Sequence, residues 1–104
     1  MRPLHRAGVD KECYVLLLTP ARLLSRVSEV TVAPISTARG HKYRTHVNVG
    51  AAEGIDHDSV VKCESIVTIR RDRLGDQVGF LPEWREPELR DAIVDAFGLI
   101  PILD

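Results

Sequence analysis

Apolar positions alternate with a period of two along most of the chain and change period only near its end. The first apolar stretch, residues 13–18, is short and continuous, as a buried strand would be. Thr19-Pro20 ends it, because proline cannot continue a sheet ladder and restrains the residue before it. Residues 22–25 read as a short helical or irregular connection. Residues 27–35 form the next strand, with Val30 and Val32 on one face and Thr31, Ala33 and Ile35 on the other. Pro34 should close it near its end. Beyond a polar loop with Gly40 as its hinge, residues 45–49 alternate again, and Val47 and Val49 point inward. A turn-rich stretch, residues 53–58, leads into the clearest strand, residues 59–69, where Val61, Cys63, Val67 and Ile69 share a face. Residues 77–81 give a further short strand after Gly75. Then the period changes: Leu89, Ile93, Ala96 and Phe97 make the stripe of an amphipathic helix. Pro87 and Glu88 suit its first turn and Gly98 its end. The expectation is four or five strands followed by one helix packed on the sheet.

The length of 104 residues suits one domain, spanning 1–104, and a domain this small would gain from dimerisation. Hydrophobic residues make up 44% and charged residues 28%, a globular rather than a disordered balance. Tyr14-Val15-Leu16-Leu17-Leu18, the longest apolar run, is too short to span a bilayer. No apolar segment follows the basic N-terminus, so the chain reads as cytoplasmic, without a membrane anchor. Cys13 and Cys63 then read as reduced thiols rather than a bridge.

The net charge of −1 is unevenly spread. No acidic residue stands between Glu29 and Glu53, where Arg39, Lys42 and Arg44 fall with His41 and His46. That stretch is either a solvated loop or a local anion-binding face. The histidines and cysteines lack the paired spacings of a zinc site, so neither a metal nor any other cofactor is expected. Asp56-His57-Asp58-Ser59 has the residue types of a hydrolase triad, but adjacent residues seldom converge on one atom. A turn before a strand is the better reading. Pro34-Ile35-Ser36-Thr37-Ala38-Arg39-Gly40 sets two hydroxyls where a strand leaves the sheet, with basic residues just beyond. The hydroxyls either cap the strand end or, with a guanidinium, bind a phosphodiester.

Several motifs, in order, resemble the MazF/PemK family of toxins. Tyr14-Val15-Leu16-Leu17-Leu18-Thr19 is similar to that family's second strand, and Val32-Ala33-Pro34-Ile35-Ser36-Thr37 to its next, which ends in Pro-x-Thr-Ser or a variant. Asp58-Ser59-Val60-Val61 through Ile69 resembles its Ser-Val-Val segment, and Arg73-Leu74 through Leu81 its Arg-Leu, Ile-Gly-x-Leu strand. The closing Phe97-Gly98-Leu99 fits too. The resemblance implies an SH3-like small β-barrel or strongly curved antiparallel sheet with a C-terminal helix. It also implies a homodimer, a cognate antitoxin as partner, and metal-independent cleavage of single-stranded RNA.

Ser36 and Thr37 fall on the family's catalytic hydroxyl, and Lys11, Arg39, Lys42 and Arg44 would contact RNA. Cys13 stands at the position of the family's catalytic Arg, Tyr14 replaces its Pro, and Ser65 and Val67 replace its Gln and Arg. A thiol cannot make a bidentate charged contact with phosphate. Either Lys11, Arg6 or Arg39 substitutes, or the chain is a weak or degenerate enzyme. Phe97-Gly98-Leu99-Ile100 leaves a further alternative, a gyrase-binding toxin of the CcdB type.

Overall fold

The computed structural model describes residues 1–8, 12–38 and 43–100. Among the described residues, seven strands, all paired antiparallel, form one curled sheet in the order β4-β5-β3-β2-β1-β7, and β6 also pairs with β3. Their ranges are β1 Arg2–Gly8, β2 Glu12–Leu17, β3 Glu29–Thr37, β4 His46–Val49, β5 Ser59–Lys62, β6 Val67–Arg70 and β7 Leu74–Leu81. The expected connection after Pro20 is the short helix α1, Ala21–Leu24, and the closing helix is α2, Glu86–Phe97. Two or three more strands are present than the four or five that the alternation suggests. β1 carries little alternation of its own, with Pro3, His5 and Arg6 along it, yet it is held on both sides, by β2 and β7.

Both faces of the sheet carry core, which is why β3 alternates without being polar on either side. Ala33 and Ile35 join Leu4, Leu16, Val47, Val61 and Cys63 beneath Leu89 and Ala92 of α2. Val30 and Val32 join Val15, Leu17 and Ile69 on the opposite face, against Leu24 and Val27. The helix keeps Leu89, Ala92, Ile93 and Ala96 toward the sheet, but Phe97 is exposed at its last turn. Gly98 ends the helix with φ of 62°, a left-handed conformation that glycine adopts at no steric cost.

Two expectations fail, for physical reasons. Pro34 does not close β3, which continues to Thr37. Thr31 turns its N–H and carbonyl toward the β2 side, bonding Thr19 Oγ1 and the Leu18 N–H. By alternation the Pro34 nitrogen faces the other edge. There the β6 ladder stops at Val32 and the β5 ladder starts at Ile35, so no partner loses a hydrogen bond.

Residues 59–69 are likewise not one strand, because the 3₁₀ turn Cys63–Ser65 splits β5 from β6. From Val61 to Val67 the chain takes six steps while β3 takes three between their partners Ile35 and Val32. The odd surplus reverses the facing of every later side chain. Val61 and Cys63 therefore lie under α2, Ile69 lies in the opposite cluster, and Val67 is exposed.

Candidate functional site

Where β5 and β6 part, the sheet opens into a groove of about 1290 Å³. Its walls come from the start of β2, the end of β3, β5, the 63–65 turn and the segment before β4. Cys13, Ser36 and Thr37, three of the residues singled out from sequence, are brought together in it. The last ladder pair of β2 and β3 is Tyr14 with Ile35, so Cys13 stands opposite Ser36 one step on.

Ser36 and Thr37 are both exposed, but they do not act as a pair. Successive strand residues point to opposite faces. Ser36 pairs with Val60 and so shares a face with Val60 and Lys62, opposite the buried Val61. Cys13, half-buried, packs with the cluster on that same face. Thr37 turns the other way, and its Oγ1 lies 3.2 Å from His57 Nε2. The other ring nitrogen, Nδ1, is 2.6 Å from Asp56 Oδ1.

The turn reading of residues 56–59 holds, yet the strand end brings Thr37 to His57, a residue that the sequence reading passed over. The signal was there in the Asp-His dipeptide. The missing information was the Thr37–Ser59 register, which no local pattern reveals.

A second polar cluster forms the opposite wall. Glu64 accepts from Thr45 Oγ1 at 3.0 Å and lies 3.1 Å from His46 Nε2. His46 in turn meets the Tyr43 ring edge-on at 5.0 Å. Partial burial opposes ionisation of Glu64, but its hydrogen bonds from the backbone, His46 and Thr45 outweigh this and lower its pKa below the usual value.

Two of the remaining sequence-derived candidates can be placed. Arg6 is 3.4 Å from Glu12 and sits over the Tyr14 ring, so it belongs to the rim. Arg44 lines a separate depression with Glu88, Asp91 and Asp95, away from Ser36. That depression shares His46 with the groove, so Arg44 borders the groove rather than lining it. Lys11, Arg39 and Lys42 lie outside the described residues. Among the described lining residues, Lys62 is the lysine or arginine of the groove, a residue not singled out from sequence because it sits inside an apolar strand.

Cys13 and Cys63 are not bridged. Burial and the neighbouring Glu64 carboxylate push the Cys63 thiol up to about 11, which makes it an inert core residue. No helix among the described residues is long and apolar enough to cross a membrane. The described residues also contain no cluster of histidine, cysteine or carboxylates able to hold a metal ion.

Residues 3–97 match a family model described as PemK-like, MazF-like toxin of type II toxin-antitoxin system. Endoribonuclease MazF3 of Mycobacterium tuberculosis is 44% identical over 100 residues, covering 95% of each chain. The solved Mycobacterium tuberculosis toxin MazF-mt6 shares 43% identity with a TM-score of 0.90, covering 95% of this chain and 99% of that one. A mycobacterial endoribonuclease solved in complex with its cognate antitoxin has the same fold, with a TM-score of 0.83 at 20% identity over 96% and 95% of the two chains.

Proposed function

The chain belongs to the family of PemK-like, MazF-like toxins of type II toxin–antitoxin systems, and from that premise we propose that it is an endoribonuclease cutting single-stranded RNA in the β2–β3 groove. Cleavage of RNA by its own 2′-hydroxyl needs three things. The hydroxyl must lose its proton, the extra charge on the phosphoryl oxygens must be held, and the leaving 5′-oxygen must be protonated. DNA lacks the attacking group and would survive.

The observation that carries the reading is Ser36, exposed at the end of β3 on the face of the groove that also bears Lys62. A hydroxyl donor and an ammonium there suit a phosphodiester, with Lys62 supplying as a point charge part of what an arginine at position 13 would supply as a fork. Exposed Tyr43 offers an aromatic surface along the same groove for a base to stack on.

The working state in this reading is a cytoplasmic homodimer, held in check by an antitoxin partner. Phe80 and Trp84 are exposed, and a second copy would remove such surface from water. The gyrase-binding alternative rested on Phe97-Gly98-Leu99-Ile100 alone, whereas the family match runs through the whole groove.

Incubation of the purified protein with single-stranded RNA in EDTA is the test. Cleavage that Ser36→Ala removes supports the proposal. Intact RNA with both the wild type and Cys13→Arg would overturn it.

A further inference from the structure

We propose that His57, oriented by Asp56, is the general base that takes the 2′-hydroxyl proton of the RNA. The proposal deepens the nuclease reading and rests on it. The Asp56 carboxylate can only accept, so at 2.6 Å it fixes a proton on Nδ1. The lone pair is thereby left on Nε2, which meets the Thr37 hydroxyl at 3.2 Å as its donor. A hydroxyl, an imidazole and a carboxylate stand in the order that activates an oxygen nucleophile elsewhere.

The ring is carried by anchored backbone rather than a loose turn. The Ala38 N–H donates to the Asp58 carbonyl at 3.0 Å, and Ser59 Oγ donates to the His57 carbonyl at 3.1 Å. Thr37 and Ser59 are ladder partners, so the turn is tied to the end of β3 on the face opposite Ser36. His57 and Ser36 line one groove only because the groove wraps around that strand end, where the RNA has to cross it.

The other bases lining the groove are occupied. Both Glu64 oxygens are engaged, by Thr45 and by His46. The His46 side chain is only 12% exposed, and Glu12 is paired with Arg6. The His57 side chain is 46% exposed, and its Nε2 lone pair accepts only from a hydroxyl that a substrate can replace. Among the described groove residues it is the base open to a ligand.

In the step itself, a ribose 2′-hydroxyl takes the place of Thr37 Oγ1 at Nε2 and gives its proton to that nitrogen. The O2′ electron pair forms a bond to phosphorus. The P–O5′ bond breaks with its pair remaining on O5′, which takes a proton from water. The imidazolium then returns its proton to the hydroxide left behind, and the products are a 2′,3′-cyclic phosphate end and a 5′-hydroxyl end. Asp56 touches no substrate atom; it is a positioning residue.

The test compares wild type, His57→Ala, Asp56→Asn and the double variant on single-stranded RNA in EDTA, with and without added imidazole. Thermal unfolding serves as the folding control. His57→Ala should lower kcat by about 10²–10⁴-fold with KM little changed. Free imidazole should restore rate in proportion to its concentration. Asp56→Asn should lower kcat about tenfold alone and have no further effect without His57.

A wild type that cuts RNA alongside a His57→Ala variant of equal rate would overturn this inference and leave the nuclease reading standing. A folded His57→Ala variant that imidazole does not rescue also overturns it. A wild type and a Cys13→Arg variant that both leave RNA intact would remove the nuclease reading itself.

Discussion

On the α2 side of the sheet, two glycines let backbones touch and a nearly buried ion pair closes the edge. At the groove, exposed and half-buried side chains from several segments meet with open space between them. A Cβ on Gly79 would lie 1.8 Å from the Glu53 carbonyl oxygen, and Gly54 opposite it sits at φ of 97°. Arg85 and Glu53, 12% and 10% exposed, pair at 3.3 Å, while Arg85 also donates to the Asn48 carbonyl. Cys13, Tyr14, Ser65 and Val67, the positions where the motif resemblance implies a departure from the family, all line the groove. By that resemblance the departures gather in the groove and not in the scaffold. The two regions should therefore respond differently to substitution, the first in stability and the second in activity.

Gly79→Ala should produce the largest effect. The new methyl group would force apart the backbones of β7 and the 51–54 turn, with no flexible side chain able to yield. A loss of about 4 kcal/mol or more is expected, read from the urea midpoint at constant m. A midpoint equal to wild type would show that this contact does not close the scaffold.

Arg85→Met comes next, at about 3 kcal/mol. It strands a nearly buried carboxylate, although the Gly50 N–H still donates to Glu53 at 2.7 Å. Adding Glu53→Gln should recover part of the loss, so a double-mutant cycle with a coupling near zero would contradict the account. Cleavage per folded molecule should be unchanged in both variants.

Cys13→Arg probes the other region. The side chain can extend into the open groove opposite Ser36, but it gives up the packing of half-buried Cys13, so stability should fall by about 1 kcal/mol. A restored fork on phosphate should raise the cleavage rate about tenfold, equivalent to about 1.4 kcal/mol. An unchanged, already high rate would show that Lys62 and the remaining groove residues have fully replaced the arginine.

The same division explains what the sequence disclosed. Strands with one clear period, such as residues 46–49, and the Leu89, Ile93 and Ala96 stripe are visible because burial enforces them locally. The break at residues 63–65 is invisible because Cys63 and Ile69 are both buried, only on opposite faces. Pro34 misled because its compatibility depends on which ladders lie beside it. The groove was half legible: Ser36, Thr37 and Cys13 came from motif order, whereas His57 and Lys62 needed the β3–β5 register.

The smallest effect comes from acid, and it separates the two regions within one titration. Glu86 and Glu64 both have pKa values below the ordinary 4.5. The cause for Glu86 is first its hydrogen bonds from Arg2, at 2.7 Å to Oε1, with burial opposing and the Arg2 charge adding. A carboxylate whose pKa is lowered by folding contributes stability above its unfolded value. That contribution is lost as pH falls from about 4.5 through the folded value.

Both side chains are more than a third exposed, so solvent screening limits each contribution to a few tenths of a kcal/mol. Glu86 ties α2 to β1, and Glu86→Gln should flatten the acid limb of the unfolding midpoint. Glu64 instead holds Thr45 and His46 at the groove wall. Glu64→Gln should leave the midpoint almost unmoved at pH 7 and raise KM for RNA about twofold, because the wall that Tyr43 rides on loosens. If instead Glu64→Gln lowered stability as much as Glu86→Gln and left KM alone, the groove wall would belong to the scaffold, and the boundary between the two regions would have to be moved.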